Sequence, residues 1–142
     1  MPRRADEYLK QLAKVPMFRA LSKRDLALVK RNAEDHKIRA GESLVKEGSR
    51  GHEFFIIIGG RASVRRKNKK IGTLGPGDYF GELALLDPAP RNASVVADDD
   101  MEVLILNERE FSGLLAEVPS LARKVLTGMA RRLHEADSKI VY

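Results

Sequence analysis

The residues with the most readable chemistry are the run Phe80-Gly81-Glu82-Leu83-Ala84-Leu85-Leu86 and, shortly after it, Arg91-Asn92-Ala93-Ser94-Val95. A glycine at the start of a short helical turn exposes backbone N–H groups to an anion, and a nearby arginine supplies the countercharge. Glu82 stands inside that anion site, where its carboxylate would repel a phosphate. Accepting hydrogen bonds from a sugar hydroxyl is the task that fits it. Phosphate and ribose together mean a nucleotide. Taken singly, an arginine after a proline is an ordinary surface residue and a Gly-Glu pair an ordinary turn; their joint spacing is what points to a site. Leu83, Leu85 and Leu86 read as apolar packing beneath the run, with only their backbones available for chemistry.

The surrounding pattern is helix, then strands, then helix. Residues 4–14 and 22–33 have helical spacing, with Leu9 and Leu12 on one face and Leu26 and Val29 on another. Ser22 with Asp25 forms a capping pair, and Pro16 separates the two segments. From Ile38 to Leu106 the texture changes to short apolar runs punctuated by glycines, among them Gly41, Gly48, Gly51, Gly60, Gly72, Gly75 and Gly77. Short strands at near-regular spacing predict a closed β structure, a barrel or a jelly roll. Phe54-Phe55-Ile56-Ile57-Ile58 is the clearest core strand and Val103-Leu104-Ile105-Leu106 the last one. Asn107 then reads as a helix N-cap with Glu110 three residues on. The final segment starts at Pro119 and carries Leu121, Val125, Met129 and Leu133 at intervals of four, an apolar stripe that must cover something.

The 142 residues suffice for one domain with a real core, and the absence of cysteine excludes disulfides and thiolate metal sites. No apolar run approaches membrane-spanning length, and Met1-Pro2-Arg3-Arg4 leads into no signal-peptide stretch, so a cytoplasmic protein without a membrane partner is expected. The net charge of +6 is carried by residues 1–40, which hold eleven Lys/Arg against five Asp/Glu, while the remainder is balanced. This excess reads as a solvated basic face. Arg65-Arg66-Lys67-Asn68-Lys69-Lys70 reads as a charged hairpin loop, Asn68 suiting the turn. His36, His52 and His134 are isolated, without the converging ligands of a metallo-enzyme on a small jelly roll. Gly75-Pro76-Gly77-Asp78 is a strand-joining turn rather than a dinucleotide fingerprint, and Asp98-Asp99-Asp100 lacks the spacing of a calcium loop. A nucleophile elbow and a Walker lysine are also absent, so no catalytic residues are expected.

The motif Phe80–Leu86 followed by Arg91–Val95 closely resembles the phosphate-binding cassette of the cyclic nucleotide-binding domain family, F-G-E-[LI]-A-L-[LI] and then R-x-A-[ST]-V, and matches every fixed position. Val15-Pro16-Met17-Phe18, Ala40-Gly41-Glu42, Lys46-Glu47-Gly48 and Gly59-Gly60-Arg61-Ala62 extend the resemblance over roughly residues 8–135. It implies a mainly β fold with flanking helices, a β jelly-roll bearing N-terminal helices and a C-terminal lid helix. The expected layout is a single domain over 1–142: helices in 1–37, the roll in 38–106 with its cassette at 80–95, and C-terminal helices in 107–142. By position, Glu82 would bind the ribose 2′-hydroxyl, while Arg91 and the N–H groups of Leu83 and Ala84 would hold the phosphate. Gly81, Asn92 and Ala93 complete the expected site, with Val64 and Ile71 as a base platform. Asn92 departs from the family pattern after the arginine and leaves the base open; cyclic AMP is the expected ligand and cyclic GMP the second candidate.

The implied function is a non-catalytic regulatory module without a cofactor. It would respond to its ligand by moving the C-terminal helix, with Phe111, Leu114 and Leu115 at the hinge, and act on a protein effector. The apolar stripe could also form a homodimer seam. Two alternatives are the sensor part of a Crp-like transcription regulator and a degenerate domain acting only through protein contacts. A DNA-reading helix-turn-helix would need roughly sixty residues beyond Tyr142, so no nucleic-acid partner is expected.

Overall fold

Phe54, Phe55, Ile56 and Ile57 are consecutive, apolar and all buried. In a strand, successive side chains leave on opposite faces, so such a run requires cover on both. A computed structural model describes residues 9–10, 12–14, 18–19, 21–81 and 90–135, and it supplies that cover in two different ways. Among the described residues, eight strands follow helix α1 (Lys23–Asn32): β1 (Glu34–Ile38), β2 (Ser43–Val45), β3 (Glu53–Gly59), β4 (Ala62–Arg66), β5 (Lys69–Leu74), β6 (Tyr79–Phe80), β7 (Ser94–Ala97) and β8 (Met101–Asn107). Helices α2 (Glu108–Glu117) and α3 (Pro119–Glu135) come last. Residues 9–10 and 12–14 are also helical, within the predicted first helix.

The strands form two four-stranded antiparallel sheets, ordered β1-β8-β3-β6 and β2-β7-β4-β5. First pairs with last, second with seventh, third with sixth and fourth with fifth, as in a long hairpin rolled into two layers. This is the jelly-roll arrangement expected for the β region.

Phe55 and Ile57 of β3 point between the sheets with Val64, Leu74, Phe80, Val95, Met101 and Val103. Phe54 and Ile56 point the other way, with Leu104 and Leu106 of β8, onto Leu26 and Val29 of α1, Phe111 and Leu114 of α2, and Leu121 of α3. Two cores therefore share the β3–β8 pair as their common wall. Phe54 meets the rings of Tyr79 and Phe111 edge-on at 5.7 and 5.6 Å, while Phe55 stacks on Phe80 at 4.7 Å. Both geometries suit the ring quadrupole.

Both expected caps are present. The Ser22 hydroxyl accepts from the Asp25 N–H at 3.1 Å. Asn107 and Glu110 form a reciprocal capping box, their bonds 2.8 and 3.0 Å long, so α2 starts directly at the end of β8. Two local features differ from expectation. Sheet pairing begins at Glu34 rather than Ile38, because β1 is an outer strand with exposed side chains and lacks the apolar alternation that marks a strand in sequence. The basic hairpin has a loop of only Lys67 and Asn68, both at positive φ, and its other cations lie within β4 and β5. Among the described residues no helix is long and apolar enough to cross a membrane.

Replacing Phe54 by alanine removes a side chain of 0% exposure that packs edge-on against Tyr79 of β6 and Phe111 of α2. Phe54→Ala is expected to lower unfolding stability by about 3–5 kcal/mol in urea titration. A loss below about 1 kcal/mol would show that this packing carries little of the fold.

Candidate functional site

Arg91 is positioned by its backbone before its side chain is considered. Its N–H donates to the Ser49 carbonyl and its carbonyl accepts from the Gly48 N–H, both at 2.8 Å. Next to it, Pro90 bridges Arg50. The segment before β7 is thus pinned to the turn at Lys46–Ser49. The guanidinium then reaches β3, where Nη2 donates to the Glu53 carbonyl at 3.0 Å, and its Nε is buried.

Two glycines make room for it. A Cβ on Gly51 would lie 2.8 Å from Arg91 Nη2 and 3.1 Å from Nε, and one on Gly81 would lie 2.9 Å from Nη1. Gly81 is also at φ +90°, and its Cβ would approach the Glu53 carbonyl oxygen to 2.5 Å. The guanidinium therefore occupies a slot between two backbones that only glycine leaves open. A planar guanidinium presents five donors in a fixed fork, so anchoring one edge on a carbonyl orients the remainder without preventing capture of an oxyanion.

Arg91 and Gly81, both members of the expected cassette at 80–95, are brought together here. Glu82, Leu83 and Ala84 lie outside the described residues. Ala93 is buried in the inter-sheet core, and Asn92 is exposed beside it. Val64 opposes Val95 of β7 and has no exposed surface, whereas Ile71 is half-buried against the same core. Of this expected platform, Ile71 is the member with surface to offer a ligand.

Gly51 and Glu53 escaped the sequence reading. Gly51 was visible only as one turn glycine among several, and the contribution of Glu53 is a backbone carbonyl, which carries no residue-type signal. At the start of α2, His52, Asn107, Glu108, Arg109 and Ser112 line a shallow cleft, with His52 Nδ1 3.9 Å from the Glu108 carboxylate. His36 lies 3.0 Å from Glu34, and the side chain of His134 is outside the described residues. No group of three His, Cys, Asp or Glu able to hold a metal occurs among the described residues.

Residues 35–118 match the family model described as "Cyclic nucleotide-binding domain". The chain is 39% identical over 131 residues to the cAMP-dependent protein kinase regulatory subunit of Mycosarcoma maydis, covering 86% of this chain and 25% of that protein. Over 130 residues it is 29% identical to the cyclic AMP receptor protein of Thermus thermophilus, covering 88% and 60%. In three dimensions it is similar to the Thermus thermophilus catabolite activator protein, with a TM-score of 0.81, 30% identity and coverage of 86% of this chain and 60% of that one. It is also similar to the regulatory domain of Toxoplasma gondii PKA crystallised with cAMP, with a TM-score of 0.71, 28% identity and coverage of 80% and 45%. The chain thus spans about a quarter of the kinase regulatory subunit that it matches.

Gly77 and Gly81 have the same φ of +90°, but nothing lies within 4 Å of a Cβ on Gly77. Alanine at either pays the backbone strain, about 1–3 kcal/mol; only Gly81→Ala must also displace Arg91 or Glu53. Gly81→Ala is expected to be the more destabilising by at least about 1 kcal/mol in thermal unfolding. Equal losses would mean that the slot is loose enough to admit a methyl group.

Proposed function

Because this chain belongs to the cyclic nucleotide-binding domain family, we propose that it is a non-catalytic regulatory module that binds a cyclic nucleotide, cyclic AMP in preference to cyclic GMP, through Arg91. The observation that carries this reading is the guanidinium held between Gly51 and Gly81 with one edge on the Glu53 carbonyl. Such an arginine is already ordered, so a phosphate does not have to meet the full entropic cost of immobilising it. In this reading the N–H groups of Leu83 and Ala84 share the phosphate, Glu82 accepts from the ribose 2′-hydroxyl, and Gly81 turns the chain into the cassette. Asn92 and Ala93 border the ligand, and Ile71, backed by Val64, lies against the base.

The preference for cyclic AMP rests on the names of the relatives, among them several cAMP-dependent kinase regulatory subunits and a cyclic AMP receptor protein. A cGMP-dependent protein kinase of Toxoplasma gondii is 33% identical over 132 residues, which keeps cyclic GMP as the competing ligand.

A route for the response follows from the register of β3. Glu53, whose carbonyl holds Arg91, pairs directly with Asn107, the N-cap of α2. A phosphate that draws Arg91 inward pulls on the strand end from which α2 departs. Phe111 and Leu114 of α2 are buried against the helix core, so a shift there is transmitted to α3. The ligand drives this shift only to the extent that it binds one helix arrangement better than the other. The module acts in the cytoplasm as one domain and reports to a protein effector. Leu121 of the expected homodimer stripe is buried within the protein, so a second copy would have to meet α3 elsewhere, as at Leu126, which lies outside the stripe and is 63% exposed.

Isothermal titration of nucleotide-stripped protein tests the reading. Cyclic AMP is expected to bind saturably and more tightly than cyclic GMP, and Arg91→Ala to lose about 30- to 1000-fold in affinity, equivalent to about 2–4 kcal/mol. Unchanged binding by Arg91→Ala would remove the arginine from the site, and binding of neither nucleotide would refute the function. Glu82→Ala is expected to weaken cyclic AMP while leaving the circular dichroism spectrum native; an unfolded variant would make Glu82 structural. Hydrogen exchange followed by mass spectrometry is expected to change in α2 and α3 on adding cyclic AMP, and unaltered exchange there would exclude the helix movement.

A further inference from the structure

Five cations are concentrated on the hairpin formed by β4 and β5, and Arg65, Arg66, Lys67, Lys69 and Lys70 are all exposed. The register places Arg65 opposite Lys70 and Arg66 opposite Lys69. Like charges directly across a strand pair destabilise it, so the hairpin's own stability would favour opposite signs at these positions. Because side chains alternate, one pair lies on each face of the ribbon, with Lys67 at its tip. The tip is held in place: the Lys67 N–H donates to Glu47 Oε1 at 2.9 Å, and the Glu47 N–H donates to Ser94 Oγ at 2.8 Å.

Among the described residues, β5 is also the outer strand of its sheet, paired with β4 on one side. An outer strand presents unpaired N–H and C=O groups to any extended chain that reaches it. Lysines on such an edge repel a second basic strand, including the same strand from another copy of this protein. They attract one that carries carboxylates. Edge and charge therefore admit the same class of partner from two independent directions.

We propose that the outer edge of β5 is a docking site for an extended acidic segment of a partner protein, which adds to the sheet as a strand and places its Asp or Glu side chains against Lys69 and Lys70. Main-chain pairing would supply affinity and the cations the choice of partner. Phosphates of nucleic acid or of a lipid surface could answer the charge but would leave the strand edge unused, which is why a peptide is the better fit. The argument rests on the charge of the hairpin and the edge of its sheet, and does not depend on the nucleotide reading.

The test is fluorescence anisotropy with a short labelled peptide of valine and threonine that carries two adjacent glutamates, one for each face of the ribbon, added to the protein. Saturable binding is expected, weakened at least about tenfold by the double variant Lys69→Glu/Lys70→Glu. A second peptide with every backbone nitrogen methylated keeps its charge but can donate along neither edge, and it is expected to bind the unaltered protein at least about tenfold more weakly. No binding of the first peptide, equal binding of the methylated one, or tighter binding of a short DNA duplex or of phosphatidylserine vesicles would each overturn the proposal. The peptide comparisons use the unaltered protein, so they stand even if the charge-reversal variant misfolds.

Discussion

Strand β3 has to be covered on both faces, and much of the rest of the molecule follows from how that is done. One face, through Phe55 and Ile57, requires a second sheet; the other, through Phe54 and Ile56, requires helices. A sheet with one wet face would leave half of this strand's apolar surface in water, at about 25 cal/mol per Å². The flanking helices are thus part of the core. Leu121 of α3, the first residue of the apolar stripe, is fully buried on the same outer face of the roll.

The same strand also organises the candidate site. Its first residue, Glu53, faces Asn107 across the sheet, and its carbonyl receives Arg91. The β3–β8 pair consequently links three things at one end: the guanidinium slot, the N-terminus of α2 and the cleft around His52. Rigidity is inherited from the two cores beneath. A side chain anchored on such a frame loses little freedom when it captures a ligand, and a movement imposed on it reaches the helices through a few backbone bonds rather than through a long chain of flexible contacts.

Charge is distributed by a different logic. Within β4 the buried Ser63 hydroxyl donates to the Asp98 carboxylate at 2.8 Å. At the β4–β5 tip, repulsion between neighbouring cations is tolerated because the side chains are solvated and the turn is secured through its backbone by Glu47. Exposed repulsion of this kind is weak and screened by salt, so the fold can carry it.

By itself, the sequence determined the features that depend on neighbours along the chain. The strand texture between residues 38 and 106, the caps at Ser22 and Asn107, the fully apolar run of β3 and the cassette spacing from Phe80 to Val95 are all local, since propensity, capping and side-chain alternation act within a few residues. β1 was the exception: an outer strand with four exposed residues shows no alternation, and its strand character comes from its partner β8. The length of the basic loop was likewise settled by cross-strand register rather than by composition. Tertiary structure alone decided which strands pair, and so which backbone atoms meet Arg91. Gly51 and Gly81 are thirty positions apart in the chain, yet they flank one guanidinium, and the Glu53 carbonyl that receives it would be the same atom on any residue. Contacts made by backbone atoms and by the absence of a Cβ leave almost no trace in residue type, and only the folded arrangement brings them together.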